Sequence, residues 1–363
     1  MQILVVNAGS SSVKLSLIGD GDQTLGEREL RAAPADLDRA LQDALQTDLA
    51  GGDVVAHRVV HGGERFSQAV RIDPVVEREL RALTELAPLH QPKSLEALDA
   101  VAAVLPDVPA VACFDTAFHR TLAAPANTYA LPGAWRERWG IRRYGFHGLS
   151  HAWVARQVPD LLGCTASGLR IISCHLGAGA SLCAIENGRS VETTMGFTPL
   201  EGLVMATRSG SVDPGLLLWL LEDARLSVSE LAVALEHESG LLGLAGTSDM
   251  REILRRADEG DTQAGLALDV YVHRLRAGIA AMAAAMGRLD VLVLTGGVGE
   301  HAATVRSRAV AGLGFLGLML DEHRNSTPTL DGRIGAPGSM VPVLVIRARE
   351  DLEMARQTRA LLS

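Results

Sequence analysis

The chain has 363 residues, of which 47% are hydrophobic, and this length and composition predict about two domains with ordinary apolar cores. Its formal net charge is −9, and no Lys/Arg-rich block appears, which argues against nucleic acid as a partner. The opening MQILVVNAGS lacks the basic start of a signal peptide, and the apolar stretch 277–287 is too short to span a membrane. We therefore expect a soluble, cytoplasmic protein without a membrane partner.

The first predicted element is a strand that runs into a turn of small residues and a second strand. This plan, in ILVVNAGSSSVKLSLIGDG (3–21), returns in IISCHLGAGASLCAIENG (171–188). Aligning Asn7 with His175 also aligns Gly9 with Gly177, at an offset of 168 residues, close to half the chain. A repeat at that spacing indicates two domains with the same core, the alternative being a chance resemblance of two hairpins.

Helices and strands alternate along the rest of the chain. Apolar residues recur at intervals of three and four in three segments, which predicts helices at 36–50, 74–87 and 92–105, and the largely apolar segment 262–287 predicts a long, mostly buried helix. Apolar runs predict later strands at 291–300 and 341–348, with a final helix at 350–362. The alternation predicts an α/β architecture. The four cysteines show no CxxC pairing, and we expect reduced, buried thiols.

Three glycine-rich turns follow predicted buried strands: NAGSSS (7–12), HLGAGAS (175–181) and TGGVGE (295–300). None matches the GxxxxGK[ST] phosphate loop, and a single turn of this kind is usually structural. Three in one chain favour backbone N–H cradles for a polyphosphate. Lys14, on the strand after the first turn, is expected to face the same cleft as Ser10 and Ser12.

Two arginines and two acids are candidates for phosphoryl chemistry. HRVVHGG (57–63) predicts a strand with Arg58 and Val60 on one face, and MATRSGSVDPG (205–215) places Arg208 in a polar turn. Arginines in polar loops are usually solvated, but planar guanidinium donors beside phosphate turns suit a transferring phosphoryl group. Asp115 and Glu350 are each expected just past a strand, where one or two carboxylates suit Mg²⁺.

The 11 histidines include no HExxH motif, which argues against a zinc site. Three of them stand in loops marked by Gly or Pro and are expected to make polar contacts in a cleft: His90, His147 and His175. Four others are expected to be structural or solvated: His119, His237, His273 and His323.

Eight motifs, in this order, resemble those of the acetate kinase family: NAGSSSVK, HRVVHGGE, LAPLH, FDTAFH, YGFHGLSH, CHLGAGAS, ETTMGFTPLEGL and TGGVGE. The resemblance runs almost from end to end. It implies an α/β fold of two duplicated RNase H-like domains, the actin-like ATPase fold, with a cleft between them that closes over ATP. The implied domains are 1–120 with 352–363, and 121–351. The resemblance also implies a homodimer.

The resemblance further implies a role for each matching residue. Asn7 and Glu350 are expected to hold Mg²⁺, or Mn²⁺ in its place, and Asp115 to position substrate and metal. Arg58 and Arg208 would hold the substrate carboxylate and the migrating phosphoryl group, with His147 and Arg208 stabilising the transition state. The acetate pocket would comprise Arg58, Val60, Leu89, His90, Phe146 and Pro199. Phosphate contacts would come from Lys14, Ser10, Ser12, His90 and His175. The nucleotide would lie against His175, Leu176, Gly177, Ala178, Gly179, Asp249, Met250, Arg251, Gly297, Val298, Gly299, Glu300 and His301.

The chain departs from the family motifs mainly at expected phosphate and adenosine contacts. Ala178 stands where Asn is usual, and Ala206 stands where Gly is usual before the Thr-Arg pair. Met250 replaces a common aromatic residue, and His301 and Arg349 each replace Asn. The charged catalytic positions are retained, so these departures affect nucleotide affinity and the choice of phosphoryl donor more than the chemistry.

The implied activity is ATP + acetate ⇌ ADP + acetyl phosphate. One alternative is a kinase for a larger carboxylate, propionate or butyrate, because one methylene is worth only about 1–3 kcal/mol of discrimination. A second alternative is an ATP-driven binding module of the same fold. The aliphatic pocket with two arginines favours a small carboxylate over that module.

Overall fold

The computed structural model describes residues 1–9, 12–30, 37–46, 49, 51–86 and 91–363. Three residues with expected roles, Ser10, Leu89 and His90, lie outside the described residues. The chain divides into two compact units. Unit 1 comprises Met1–Arg120, Phe146–Trp153 and Arg349–Ser363, and unit 2 comprises Thr121–Gly145 and Val154–Ala348.

The strands, in chain order, are β1 Ile3–Ala8, β2 Val13–Ile18, β3 Thr24–Leu30, β4 Val54–Val59, β5 Val70–Arg71, β6 Ala110–Phe114, β7 Arg170–Leu176, β8 Ala180–Glu186, β9 Arg189–Thr193, β10 Val291–Thr295, β11 Gly332–Arg333 and β12 Val343–Val345. The α-helices are α1 Leu37–Gln46, α2 Pro74–Ala82, α3 Gln91–Val104, α4 Ala124–Asn127, α5 Gly133–Trp139, α6 Gly148–Leu162, α7 Pro214–Glu222, α8 Val228–Val233, α9 Gly240–Ala245, α10 Met250–Asp258, α11 Thr262–Met286, α12 Gly296–His301, α13 Ala303–Ala311, α14 Glu322–Ser326 and α15 Glu350–Leu362. A π-helical turn, Ala234–Glu238, joins α8 to the segment before α9.

The two units contain sheets of the same topology. Unit 1 has the strand order β3-β2-β1-β4-β6-β5, and unit 2 has β9-β8-β7-β10-β12-β11 in the corresponding places. In both sheets the first three strands are antiparallel neighbours, the next two add in parallel, and a short antiparallel strand closes one edge. The predicted α/β class and the duplication are therefore confirmed.

The register of the strands reproduces the repeat found in the sequence. Ile3 pairs with Val54 in unit 1, and Ile171, 168 positions further along, pairs with Val291 in unit 2. The turns correspond in position but differ in length by one residue: Gly9 donates its N–H to Ser12 O at 2.8 Å, and Gly177 donates its N–H to Gly179 O at 2.9 Å. The aligned glycines thus begin the turns between equivalent strands, and the shared strand order of the two sheets excludes a chance likeness of two turns.

Strand β1 is buried on both faces, as expected for the centre of a mixed sheet covered by helices. Leu4 and Val6 pack into an apolar cluster with residues of α1 and α3. Ile3 and Val5 point the other way, into a cluster that includes Leu352, Met354 and Ala355 of α15. Helix α15 therefore completes the core of the unit that begins with β1, which fixes the position of its first residue, Glu350.

Three predicted elements end earlier than the sequence suggested. Strand β4 ends at Val59, so Val60 lies just past the strand instead of within it. Strand β12 stops at Val345, and Glu350 is the first residue of α15 rather than a residue directly after a strand. The segment TGGVGE forms α12 after Thr295, because Gly296 adopts a φ of +78° that turns the chain straight from strand into helix.

Within the described residues, no helix combines the length and the apolar character needed to cross a membrane. Cys113, Cys174 and Cys183 are buried in strands, as expected, whereas Cys164 is exposed. Burial raises the pKa of the Cys174 thiol, which keeps it protonated and inert at neutral pH.

Candidate active site

Three strands of unit 1 bring polar side chains to the same edge of the sheet. Asn7 lies near the end of β1, Arg58 near the end of β4, and Asp115 directly after β6. These strands run in parallel, so their carboxyl ends meet where ligands bind in open α/β sheets. The Arg58 Nε donates to Asp115 Oδ2 at 3.0 Å, and its Nη1 donates to Asn7 Oδ1 at 3.1 Å.

Glu350 joins this group from the first turn of α15. The Asn7 Nδ2 donates to Glu350 Oε2 at 2.9 Å, so the Asn7 amide bridges the arginine and the second carboxylate. We name these four residues, Asn7, Arg58, Asp115 and Glu350, the carboxylate cluster. Its members come from four separate elements, and each was expected at the site from the sequence.

Burial controls the ionisation of the carboxylate cluster. Asp115 is only 1% exposed, and its burial raises the pKa of the carboxyl, opposed by Arg58 and reinforced by the negative charge of Glu350. Burial alone would lower the pKa of Arg58, but the carboxylates of Asp115 and Glu350 outweigh it and raise that pKa. The arginine is therefore held as a cation between two acids, and the repulsion between those acids favours binding of a further positive charge.

The backbone directly after His147 is bonded to a member of the carboxylate cluster. Gly148 donates its N–H to the carbonyl oxygen of Asp115 at 2.8 Å, and a Cβ at Gly148 would lie 2.2 Å from that oxygen. His147 itself adopts a φ of +55°, a left-handed conformation that is uncommon for a residue with a side chain. Strain of this kind is concentrated at functional sites, which agrees with the expected role of His147.

The remaining predicted residues of unit 1 occupy different surroundings. Lys14 is the cross-strand partner of Asn7 and is exposed, whereas Ser12 donates its hydroxyl to Glu29 at 2.7 Å. Val60 and Phe146 are buried, and the Phe146 ring meets the His61 ring edge to face at 5.7 Å between centroids. His119, expected to be structural or solvated, is buried, with its Nε2 2.9 Å from the carbonyl oxygen of Phe146.

In unit 2 the second and third glycine-rich segments adjoin each other. Thr295, which ends β10, is the register partner of His175 on β7. A Cβ at Gly296 would lie 2.9 Å from the carbonyl oxygen of Leu176, so glycine is required for this approach. Leu176 is buried, whereas Ala178 and Gly297 are exposed, which leaves backbone around the latter two open to a ligand.

Glu300 and Arg306 hold α12 in place. The Glu300 Oε1 accepts from the N–H groups of Gly296 at 3.0 Å and Ala348 at 2.9 Å, which ties the helix to the segment after β12. Arg306 is fully buried and donates its Nη1 to the carbonyl oxygens of Gly299 and Glu300, both at 2.9 Å. The Glu300 side chain thus has a structural use in this structure, and Gly297 and His301 are the exposed members of the predicted set, with Val298 partly exposed.

The predicted nucleotide residues 249–251 begin α10. Asp249 caps the helix by accepting from the Arg251 N–H at 2.9 Å, and its carboxylate also pairs with the Arg251 guanidinium at 2.7 Å. Met250 between them is buried, and Arg251 is largely exposed. Asp249 and Arg251 are therefore the members of this segment whose side chains reach the surface.

Arg208 in unit 2 is enclosed by its own loop and by the π-helical turn. Its Nη1 donates to the carbonyl oxygen of Pro199 at 3.2 Å, and its Nε lies 3.3 Å from Glu236 Oε2. Glu236 is 7% exposed, and its burial raises the pKa of the carboxyl against the opposing charges of Arg208 and His237. No motif in the sequence distinguished Glu236, which lies 28 residues after Arg208.

The loop that carries Pro199 has a second set of anchors that the sequence did not reveal. Tyr129 donates its hydroxyl to Glu201 Oε2, and Arg143 Nη2 donates to Glu201 Oε1 at 2.8 Å. The Tyr129 oxygen also accepts from the Phe197 N–H at 2.9 Å. A Cβ at Gly196 would lie 1.8 Å from Glu201, so this packing requires glycine there. The part of the motif ETTMGFTPLEGL that follows β9 is therefore a loop anchored by several side chains.

The carboxylate cluster suits a hard divalent cation. Within the described ranges, no group of three or more His, Cys, Asp or Glu side chains is arranged to hold a metal by itself. Mg²⁺ does not need such a cage, because it retains waters and binds through one or two carboxylates together with substrate phosphates. The oxygen donors of Glu350 and Asp115, whose charges repel each other, fit that requirement.

Comparison with known proteins places these observations in one family. Residues 27–356 match the family model described as the acetokinase family. The acetate kinase of Streptomyces coelicolor is 44% identical, with 100% of this chain and 97% of the relative covered. Among solved structures, the acetate kinase of Porphyromonas gingivalis superposes with a TM-score of 0.89 at 36% identity, covering 100% of both chains. A propionate kinase from Francisella tularensis gives 0.92 at 36% identity, covering 99% of each chain. The match to the family model includes residues of both unit 1 and unit 2, and the chain belongs to the acetokinase family.

Proposed function

We propose that the chain catalyses the reversible, Mg²⁺-dependent transfer of the γ-phosphoryl group of ATP to acetate, which yields acetyl phosphate and ADP. Family membership makes it a kinase, an ATP-dependent phosphotransferase, and does not favour the ATP-driven binding module. The observation that carries the proposal is the carboxylate cluster, in which Asn7 is hydrogen-bonded to both Arg58 and Glu350, and Arg58 is hydrogen-bonded to Asp115.

Phosphoryl transfer to a carboxylate requires that the two substrates be oriented and that the negative charge on the moving phosphoryl group be neutralised. An oxygen of the acetate carboxylate forms a bond to the γ-phosphorus as the bond from that phosphorus to the bridging oxygen of ADP breaks. A carboxylate is already a nucleophile, so no general base is required, and catalysis rests on orientation and neutralisation of charge. Arg58 and Arg208 are the planar donors proposed for the acetate carboxylate and the moving phosphoryl, with His147 assisting Arg208.

We assign different contacts of the reaction to residues of the two units. We assign the acetate and metal contacts of unit 1 to the carboxylate cluster, with Lys14 for phosphate and Val60 and Phe146 for the methyl group. The β7–β8 turn and α12 of unit 2 are assigned to the nucleotide, because glycines there allow close approach of backbone to phosphate. Bound Mg²⁺, held by Glu350 and Asn7, would neutralise charge on the phosphates.

The test is a hydroxamate assay for acyl phosphate with purified protein, ATP and acetate, propionate or butyrate. We expect acyl hydroxamate with acetate, dependence on Mg²⁺ that Mn²⁺ satisfies in part, and no signal without a carboxylate. ATP hydrolysis at the same rate with and without carboxylate would contradict the proposal.

A propionate kinase is the second candidate, since the superposition with the Francisella tularensis propionate kinase has a TM-score of 0.92. The same assay separates the two by the ratio of kcat/KM for acetate and propionate. A ratio well below one would assign the larger acid as the substrate.

A homodimer is a further part of the proposal, supported by an apolar surface on unit 2. Helix α7 reads PGLLLWLLE, and none of its residues is buried. Leu218 and Trp219 are 58% and 54% exposed, and Val228 at the start of α8 is 74% exposed. A helix this apolar needs a cover in water. Light scattering should give the mass of two chains, and Leu218→Glu with Trp219→Glu should halve it, whereas Phe315→Glu, on an exposed residue outside α7 and α8, should not.

A further inference from the structure

Both candidate substrate arginines have a buried carboxylate as partner. Arg58 is paired with Asp115, which is 1% exposed, and Arg208 lies against Glu236, which is 7% exposed. The two pairs belong to different units. Asp115 was expected at the site from its sequence motif, whereas Glu236 has no assigned use.

The backbone around Glu236 is fastened to the loop of Arg208 at several points. Thr207 donates its hydroxyl to the carbonyl oxygen of Glu236 at 2.8 Å, and Ser209 donates its N–H to Leu235 O at 3.0 Å. Ser239 returns a bond to Thr207 O at 3.0 Å. The π-helical turn and the Arg208 loop therefore form one joined piece, and single π-helical turns are frequent at functional sites.

Two groups flank the Arg208 guanidinium. The Pro199 carbonyl oxygen accepts a hydrogen bond from Nη1 at 3.2 Å, whereas Glu236 Oε2 lies 3.3 Å from Nε as an ion pair, and that buried oxygen accepts no hydrogen bond from the described residues. The Arg208 side chain is only 15% exposed, so its long stem is enclosed. The negative charge of Glu236 beside Nε attracts the guanidinium and limits the orientations in which its other donors can point.

We propose that Glu236 is a positioning residue that orients the guanidinium of Arg208 for phosphoryl transfer. The proposal rests on the role assigned to Arg208 under the proposed function. It predicts that loss of the Glu236 charge lowers kcat while the KM for acetate changes little, because the anchor matters most where charge develops in the transition state.

The pH dependence of the effect separates positioning from simple packing. The charged groups that act on Glu236 are Arg208 and His237, and burial raises its carboxyl pKa above the ordinary value. The anchor is therefore present at high pH and is lost as the pH falls through that raised pKa. The ratio of kcat for wild type to kcat for Glu236→Gln should be largest at alkaline pH and approach one in acid.

The experiment compares Glu236→Gln, Glu236→Asp and the control Glu238→Gln, an exposed acid on the same turn. We expect Glu236→Gln to lower kcat by a factor of three to ten with melting temperature nearly unchanged, Glu236→Asp to recover part of the loss, and Glu238→Gln to have no effect. A kcat ratio of one at every pH would overturn the proposal, as would an equal loss in the aspartate and glutamine variants.

A double-mutant cycle with Arg208→Lys distinguishes this proposal from the one it rests on. If Glu236 acts through Arg208, adding Glu236→Gln to Arg208→Lys should cause no further loss of kcat. A further loss of the same size would show that Glu236 acts elsewhere and would overturn the inference. If Arg208→Lys alone left kcat unchanged, the assigned role of Arg208 would fail first, and the inference with it.

Discussion

The backbone N–H of Ala206 donates to the carbonyl oxygen of Ala178 at 3.0 Å, so two residues at which the chain departs from the acetate kinase motifs are bonded to each other. Ala178 is exposed in the turn between β7 and β8, and Ala206 lies two positions before Arg208. The bond joins the expected phosphate turn of unit 2 to the loop of the candidate catalytic arginine. A substitution at either alanine is therefore expected to affect both the β7–β8 turn and the loop of Arg208.

Ala178→Asn should lower the KM for ATP several-fold and leave the KM for acetate nearly unchanged. The added amide is one donor beside phosphate oxygens, and a hydrogen bond to a charged group is worth about 1.5–3 kcal/mol when well aligned. Steady-state kinetics with each substrate varied in turn measures both constants. Ala178→Leu, which adds bulk without a donor, is the control. An unchanged or raised ATP KM in the asparagine variant would indicate a loop adapted to alanine and would make another phosphoryl donor worth testing.

Arg208→Ala should lower kcat far more than it raises the KM for acetate. Loss of a charged donor to the transition state costs roughly 3–4 kcal/mol, equivalent to about 10²–10³ in rate. Arg251→Ala, which removes an arginine that is 90% exposed, is the control for loss of positive charge alone. A kcat for Arg208→Ala within tenfold of wild type would be incompatible with the assigned role.

Glu350→Gln should raise the Mg²⁺ concentration needed for half-maximal activity, because the bond from Asn7 survives while the anionic ligand is lost. Asp351→Asn is the control. Asp351 lies in the same first turn of α15, where acidic residues stabilise the start of a helix, but its carboxylate pairs with Arg349. Mg²⁺ titrations of both variants decide the point. Equal shifts in the two would mean that Glu350 contributes only to the helix.

Val60→Ala should move the preference from acetate toward propionate. Val60 is buried just past the end of β4, two residues from Arg58, and truncation removes about two methyl groups from the expected acyl pocket. The ratio of kcat/KM for the two acids is the measurement, with Val59→Ala in the apolar core beside Phe114 as the control. A ratio that stays the same in Val60→Ala would remove this residue from the pocket.

Gly148→Ala should destabilise the protein and reduce activity. The added Cβ would meet the Asp115 carbonyl oxygen at 2.2 Å and Phe118 at 3.0 Å, and overpacking of this kind costs roughly 1–3 kcal/mol. Gly265→Ala, in α11 with open space around it, should be neutral or stabilising. Thermal unfolding and kcat of the two variants test the contrast, and equal melting temperatures would contradict it.

Most of the architecture could be predicted because it follows from local sequence patterns, namely the repeated strand–turn–strand segment and the periodicity of apolar residues. The match of Asn7 to His175 and of Gly9 to Gly177 anticipated two sheets with one topology, and the helices α3, α11 and α15 fall within one or two residues of their predicted bounds. Element ends were less accurate. Val60 and Glu350 shifted because strand length depends on pairing with neighbours, which no local pattern encodes.

The partners of site residues were the part that the sequence could not supply. Arg208 stands in a recognisable motif, but Glu236 meets it through a π-helical turn whose extra residue has no periodic signature. Tyr129 and Glu201 meet only because Gly196 leaves room for them. Such contacts depend on tertiary packing, so they become visible only once the chain is folded.

The bond between Asn7 and Glu350 spans 343 positions of the chain, and this separation has a consequence for biosynthesis. A ribosome delivers β1 first and α15 only after every strand of both sheets has emerged. Until then, the apolar cluster around Ile3 and Val5 lacks the part that α15 supplies, although Leu149 of α6 belongs to the same cluster. Contacts so distant along the chain form slowly, because the whole intervening loop must close. We therefore expect the nascent chain to acquire Glu350, the carboxylate proposed for Mg²⁺, after the other members of the carboxylate cluster, and to remain inactive and dependent on protection from aggregation until α15 docks.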